Sequence, residues 1–200
     1  MEVIQIGLTL LGGYLLGSLV PGLWIARWQG IDIRRVGSGN IGSTNVYRAL
    51  GLWAGLVVQV VDIGKALLAV WLAQRQGLPL WAVYSTATAA VLGHIYPIWA
   101  GFRGGKGINT LLGGMLMIEP ASAVAALGVF LIAVALSEIV SVSSLTAVSS
   151  FLFWHSVVGA GSAVGYGFGL FWVGLVFYTH RENLRRLWNG TEPRIGRRKP

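Results

Sequence analysis

Residues 37–75 read GSGNIGSTNVYRALGLWAGLVVQVVDIGKALLAVWLAQR. A polar, glycine-rich opening runs directly into an apolar stretch, 52–74, of the length that crosses a bilayer, since ~20 mostly apolar residues span a hydrocarbon core of ~30 Å. The same alternation recurs along the chain. Hydrophobic runs lie at 3–26, 52–74, 79–99, 108–119, 121–137, 141–158 and 164–180. Three polar, cationic segments interrupt or follow them: GSGNIGSTNVYRALG (37–51), GHIYPIWAGFRGGKGINT (93–110) and THRENLRRLWNGTEPRIGRRK (179–199).

Composition agrees with this pattern. The 200 residues are 54% hydrophobic and 11% charged, with a mean hydropathy of +0.68, whereas soluble domains carry about 25% charged residues. The expectation is an all-α integral membrane protein, one polytopic domain over 1–200, with about seven transmembrane helices. The opening MEVIQIG carries Glu2 and no basic region, so the first run reads as a permanent helix and not a cleaved leader. There is no cysteine, which excludes disulfides and thiolate metal sites. Acidic residues are sparse and no close histidine pair exists, so neither a metal nor another cofactor is expected. The fourth run is short: its dozen residues reach ~18 Å at ~1.5 Å each. With Gly113 and Gly114 inside it, it reads as a half-helix opening out of the second polar segment. Such an arrangement is tolerated at membrane depth only beside protein or a wet cavity.

Charge sets the orientation. With the N-terminus outside and the C-terminus cytoplasmic, thirteen of the fifteen Lys and Arg residues fall on inner loops and the tail. Arg75 alone falls outside, and Lys65 lies within a helix. Cytoplasmic loops concentrate positive charge, and all three polar segments then share the cytoplasmic side. The net charge of +8 suits anionic headgroups. No nucleic-acid-binding signature accompanies it, and no obligate protein partner is indicated. Trp71, Trp81 and Trp154 fall near outer helix ends, and Trp24, Trp28, Trp53, Trp99 and Trp188 near inner ones, as interfacial anchors do. Gly13 with Gly17, and Gly51 with Gly55, have the spacing of close helix packing.

The polar segments hold chemistry that helix packing does not need. In the first, Gly37, Ser38, Gly39, Asn40, Gly42, Ser43, Thr44 and Asn45 are all small donors or glycines. Such backbone forms anion-binding nests. Asn45 to Ala54 are expected to open the second long helix with its positive end toward the loop. Arg48 then offers a bidentate fork to phosphate. The second segment carries Arg103, Gly104, Gly105, Lys106 and Gly107, then Asn109 and Thr110. It fails the nucleotide P-loop pattern, because Ala100 stands at the first glycine position and Gly107 follows the lysine. Its logic still holds: a glycine turn, a cation and a helix N-terminus make an anion cradle. His94 is placed to cap or brace that loop. In the third segment His180 and Asn183 stand at i, i+3 and share a face, and His180 is a candidate general base or phosphate ligand. Asp62 and Lys65 have the same spacing and read either as functional intramembrane charges or as a neutralising ion pair. Among the serines after Glu138, which are Ser141, Ser143 and Ser144, one hydroxyl is available to the site, and Ser144 is taken as that one. His155 is assigned no role.

Taken together, the three segments resemble the bacterial acyl-phosphate:glycerol-3-phosphate acyltransferases (the PlsY family). The first is similar to the motif G-S-G-N-x-G-x-T-N-x-x-R. The second is similar to G-H-x-x-P…F-[KR]-G-G-K-G, matched by Gly93, His94, Pro97 and 102–107. The third is similar to H-x-x-N-[IL]-x-R-L-x-x-G-x-E, matched by His180, Asn183, Leu184, Arg186, Leu187, Gly190 and Glu192. Leu16-Gly17-Ser18 with Pro21, and Asp62 with Lys65, also fit, so the likeness spans nearly the whole chain. It implies transfer of a fatty acyl group from acyl phosphate to the sn-1 hydroxyl of glycerol 3-phosphate, at the start of phospholipid synthesis in the bacterial inner membrane. Ser38, Arg48, Lys106, His180 and Asn183 become the expected catalytic residues. Gly37, Gly39, Asn40, Gly42, Ser43, Thr44, Asn45, His94, Arg103, Gly104, Gly105, Gly107, Ser144 and Glu192 become phosphate-binding candidates. The proton acceptor is either His180 or the donor's own phosphate. The competing class is an organic-anion transporter, since broken helices and glycine cradles occur there as well. Polar segments gathered on one face and the absence of an evident inverted repeat argue for the enzyme.

Overall fold

The computed structural model of the chain describes residues 1–195. The expected cytoplasmic charges Arg197, Arg198 and Lys199 lie outside the described residues. Among those residues there are ten α-helices, two single 3-10 turns and no strand. The chain forms two compact units, Met1–Ile118 and Glu119 onward.

The first unit contains α1 (Glu2–Gly17), α2 (Pro21–Trp28), α3 (Ser43–Leu50), α4 (Leu52–Arg75), α5 (Leu80–Ile95) and α6 (Ile108–Ile118). Three expectations differ from the observed helices. The first hydrophobic run is not one helix. Pro21 opens α2 at its first turn, and Val20 before it has left helical geometry, at φ −124° and ψ 75°. Proline has no N–H to give, and it pushes its predecessor out of the α region. Likewise Asn45 and Arg48 do not open the long second helix. They sit on the separate two-turn α3, because Gly51 takes φ +87° and turns the chain before α4 begins. The third run also stops early. Helix α5 ends at Ile95, and Pro97 leads into a 3-10 turn, Ile98–Ala100. The half-helix is as expected: α6 has 11 residues and follows an extended loop.

Lipid tails are as apolar as leucine, so membrane helices associate by close van der Waals fit and not by escape from water. The unit is accordingly joined where glycines let backbones touch. On α1, a Cβ at Gly17 would run into the backbone of Ala90 on α5, and one at Gly93 would run into the Tyr14 carbonyl. Tyr14 then donates from its hydroxyl to the Tyr96 carbonyl at 2.7 Å, closing the end of α5 onto α1. Gly113 of α6 lies against the backbone of Ile63 on α4, and Gly55 lets α3 lie back along α4. The close-packing role read from Gly13, Gly17 and Gly55 is what the helices use, whereas Gly51, grouped with them, meets nothing within 4 Å of a Cβ and serves as the turn before α4.

The second unit contains α7 (Pro120–Ser137), α8 (Val140–Val157), α9 (Ala163–Thr179) and α10 (Arg181–Trp188). Glu138, at φ +60°, makes the tight turn between α7 and α8. His155, given no role from sequence, is wholly buried and links the far ends of this hairpin. Its Nδ1 meets Glu119 Oε2 at 2.8 Å and its Nε2 meets the Ser162 carbonyl at 3.0 Å. Among the described residues, four stretches are long and apolar enough to cross a membrane: 2–28, Leu52–Arg75, Pro120–Ser137 and Val140–Val157, with Ile108–Ile118 and Ala163–Thr179 as shorter apolar helices.

The glycine contacts yield a paired prediction. Gly17→Ala, which forces a methyl into the α5 backbone, should cost about 1–3 kcal/mol of stability. Gly12→Ala, where a Cβ meets nothing within 4 Å, should be neutral or stabilising by up to ~1 kcal/mol through helix propensity. Thermal midpoints of the two detergent-solubilised variants check the contrast.

Candidate functional site: two joined loops and a carboxylate-braced helix

The first polar loop is wound around one side chain. Asn45, buried on α3, accepts from the Ser38 amide at 3.0 Å through Oδ1. Its Nδ2 donates to the carbonyls of Val36 and Asn40, both at 2.9 Å, and of Ile33 at 3.3 Å. Gly37 and Gly39 take φ +59° and +72°, and a Cβ at Gly37 would strike the Asn45 carboxamide oxygen. The sequence offered Asn45 and the loop amides to a ligand. The structure instead commits the Asn45 carboxamide to the loop, and it turns the Ser38 amide to Asn45 and the Gly39 amide to the Val36 carbonyl at 3.0 Å. Gly42 caps α3, so Ser43 and Thr44 form its first turn and Arg48 lies on its last.

The second loop folds back on the end of α5. The amides of Gly104 and Gly105 donate to the carbonyls of Ile95 and His94 at 2.9 and 3.0 Å. Both glycines are required: a Cβ at Gly104 would meet the His94 carbonyl, and one at Gly105 the His94 ring. Lys106 follows, half-buried, and Gly107 turns at φ +82° into α6, while the Arg103 side chain is exposed. His94 braces this loop, as expected. Its Nδ1 stands 2.8 Å from Lys65 Nζ and 3.3 Å from Asp62 Oδ1. Asp62 and Lys65 do pair, at 2.8 Å.

The two loops are tied to each other. The Arg34 guanidinium donates to the Ala100 carbonyl at 3.1 Å and to the Arg103 carbonyl. Asn109 Nδ2 donates to Ser43 Oγ at 3.0 Å. Sequence reasoning used Arg34 only to orient the chain and gave Asn109 no partner. Nothing in their spacing marks them, because the partners are a backbone carbonyl and a hydroxyl more than sixty positions away.

The third segment lies in the second unit. His180 is buried between α9 and α10, and its Nδ1 donates to the Val176 carbonyl at 2.8 Å. A carbonyl can only accept, so that bond places a proton on Nδ1. Asn183 and Glu192 are drawn into one cluster. Glu192 Oε1 accepts from Asn183 Nδ2 and from Ser141 Oγ, the latter at 2.7 Å, and Oε2 accepts from Arg186 Nε at 2.7 Å. Burial opposes ionisation of the Glu192 carboxyl, but hydrogen bonds from Asn183, Ser141 and Arg186, with the Arg186 charge, hold it below the usual carboxylate range. An anion so occupied orients Asn183 and does not itself receive a phosphate. The serine expectation also shifts. Ser144 bonds the Val140 carbonyl of its own helix at 2.9 Å, and Ser141, three residues earlier on α8, is the one whose hydroxyl reaches the cluster.

These features define a class: an all-helical integral membrane protein carrying glycine-built, cation-bearing loops of the kind that hold phosphate. A sequence profile described as Glycerol-3-phosphate acyltransferase matches residues 7–190, and the chain belongs to that family. It is 44% identical over 192 residues to a glycerol-3-phosphate acyltransferase of Thermus thermophilus, covering 95% of each chain. It is 43% identical to one of Cereibacter sphaeroides, covering 93% of this chain and 88% of that one. Among solved structures it is similar to PlsY (YgiH), an integral membrane glycerol 3-phosphate acyltransferase. The match has a TM-score of 0.91 to the glycerol 3-phosphate form and 0.88 to the lysophosphatidic acid form. In both the identity is 36%, over 96% of each chain.

Two predictions follow from the geometry. Asn45→Ala orphans the buried groups it serves, at about 1–3 kcal/mol for an unsatisfied one, and should lower the thermal midpoint in proportion. Glu192→Gln should also destabilise the protein at neutral pH. Because the folded carboxyl titrates below its unfolded value, its contribution is complete above the ordinary range of ~4.3. That contribution fades as pH falls through the lowered folded value. The difference in midpoint between parent and Glu192→Gln should therefore be constant near neutrality and close in strong acid.

Proposed function

We propose that this protein transfers a fatty acyl group from acyl phosphate to the sn-1 hydroxyl of glycerol 3-phosphate, giving lysophosphatidic acid and inorganic phosphate. The observation that carries the reading is the tying of two glycine-rich, cationic loops by Arg34 and Asn109 in a chain of the glycerol-3-phosphate acyltransferase family. Two phosphate-bearing reactants repel one another, so the first requirement is a dense set of cations and donors. In the first unit Arg48 and Lys106 bind the phosphate of glycerol 3-phosphate, and in the second His180 and Asn183 are the residues assigned to the reaction. Ser38 and the loop 37–43 bind the acyl phosphate head, and the acyl tail stays in lipid. The reaction belongs to the cytoplasmic face of a bacterial inner membrane, with about seven spans and the N-terminus outside. The one-sided distribution of Lys and Arg supports that orientation.

In the transfer, the sn-1 oxygen attacks the acyl carbonyl carbon, the bond from that carbon to the phosphate oxygen breaks, and phosphate leaves with the electron pair. The hydroxyl proton passes to the donor's own phosphate, an oxygen base carried beside the attacked carbonyl. Phosphate is a good leaving group, so no strong general acid is needed. Holding both reactants contributes on the order of 7–11 kcal/mol by making the attack nearly unimolecular. A donor such as Ser38 at the developing oxyanion is worth about 3–4 kcal/mol.

The test uses purified protein in detergent, with no vesicle and hence no transport. Phosphate release from acyl phosphate should require glycerol 3-phosphate and match lysophosphatidic acid formation by mass spectrometry. Release without glycerol 3-phosphate, or none at all, rejects the reading. His180→Ala should raise KM for glycerol 3-phosphate with a smaller change in kcat, whereas a large fall in kcat at unchanged KM would make His180 the base.

A further inference from the structure

One buried cation joins three separate elements of the first unit. Lys65, on α4, is 5% exposed. Its ammonium donates to the Leu19 carbonyl at 2.7 Å and to Asp62 Oδ1 at 2.8 Å, and it meets His94 Nδ1 at 2.8 Å. An ammonium has three donors, and here each has an acceptor on a different element. Leu19 lies in the break between α1 and α2, where Pro21 supplies no N–H. Asp62 is one turn back on α4, and His94 is on the last turn of α5. The far side of the His94 ring, Nε2, lies where a Cβ of Gly105 would be. The His94 carbonyl accepts from the Gly105 amide at 3.0 Å. Gly105 is the residue immediately before Lys106.

We infer that the Asp62–Lys65–His94 cluster is a positioning device for the phosphate-binding loop, with Lys65 fixing the His94 ring and the ring in turn seating Gly105 and Lys106. Lys65 touches no substrate and acts through His94. An ion pair needed only for folding would not have to reach the helix break or end on a loop glycine. This cluster links the break at Leu19, the long helix α4 and the second loop through consecutive contacts. The inference rests on the reading of that loop as the glycerol 3-phosphate site, but its test includes a readout that does not.

The chain has no cysteine, so Phe102→Cys, at an exposed position of the second loop, provides a single spin-label site. The variant to examine is Asp62→Asn/Lys65→Met. It removes both charges together and so avoids leaving one buried and uncompensated. In membranes of labelled protein, the loop label should become more mobile than in the parent. In the unlabelled pair, KM for glycerol 3-phosphate should rise about tenfold while kcat stays within about threefold. If the double variant does not fold, His94→Asn serves in its place. Asn retains a polar atom near the Nδ1 position but lacks the Nε2 end that rests on Gly105, so the label should again be released. An unchanged label spectrum and unchanged KM in folded protein overturn the inference. If the parent shows no turnover, the acyltransferase reading fails, and the label spectrum alone still decides whether the cluster holds the loop.

Discussion

A lysine ammonium in an apolar helix bundle has to be met on every proton, because nothing in hydrocarbon replaces the water it has left. In the first unit that requirement brings the break between α1 and α2, the α4 carboxylate of Asp62 and the end of α5 to one point. The break would otherwise expose the Leu19 carbonyl. The lysine would otherwise be an uncompensated charge, and removing one partner of such a pair costs about 3–5 kcal/mol. Each defect supplies what the other lacks. The irregular backbone that carries the polar loops is tolerated because protein groups satisfy it locally, which is the condition for non-helical chain at membrane depth.

From that point outward the site is built mainly from backbone. Glycines at 37, 39, 104, 105 and 107 permit turns and contacts that a Cβ would block. A single carboxamide, Asn45, fills the first loop, and a single imidazole, His94, backs the second. The Arg34 guanidinium, given to carbonyls of the second loop, converts two turns into one platform. Few charges are used to shape these loops. Arg48 and Lys106 stand on the same two segments, the charge that the proposed meeting of two phosphates calls for.

Most of the architecture was legible beforehand. Hydrophobic run lengths placed α4, α6, α7, α8 and α9 within a residue or two, and glycine spacing pointed to the helix contacts. Motif order pointed to the family. The departures share a cause. A proline at 21 splits a helix that hydrophobicity alone joined, and a glycine at 51 separates α3 from the apolar run that Asn45 to Ala54 were expected to open. Asn45 looked like a ligand for phosphate because a donor-rich side chain in a donor-rich loop reads the same whether it faces outward or inward. Ser144 and Ser141 are both hydroxyls on α8, and only the packing of the chain end against that helix tells which one meets Glu192.

What the amino-acid sequence determined by itself was the solvent, the helix-rich class and the three places where chemistry gathers, because hydrophobic length, charge asymmetry and glycine clustering are properties of short stretches read one at a time. What only the tertiary structure decided was which polar atoms are consumed in holding the loops and which cation reaches which carbonyl. Arg34 finding Ala100, Asn109 finding Ser43 and Lys65 finding Leu19 are pairings across 46 to 66 positions. They depend on the phase and crossing of packed helices, and no local pattern encodes that.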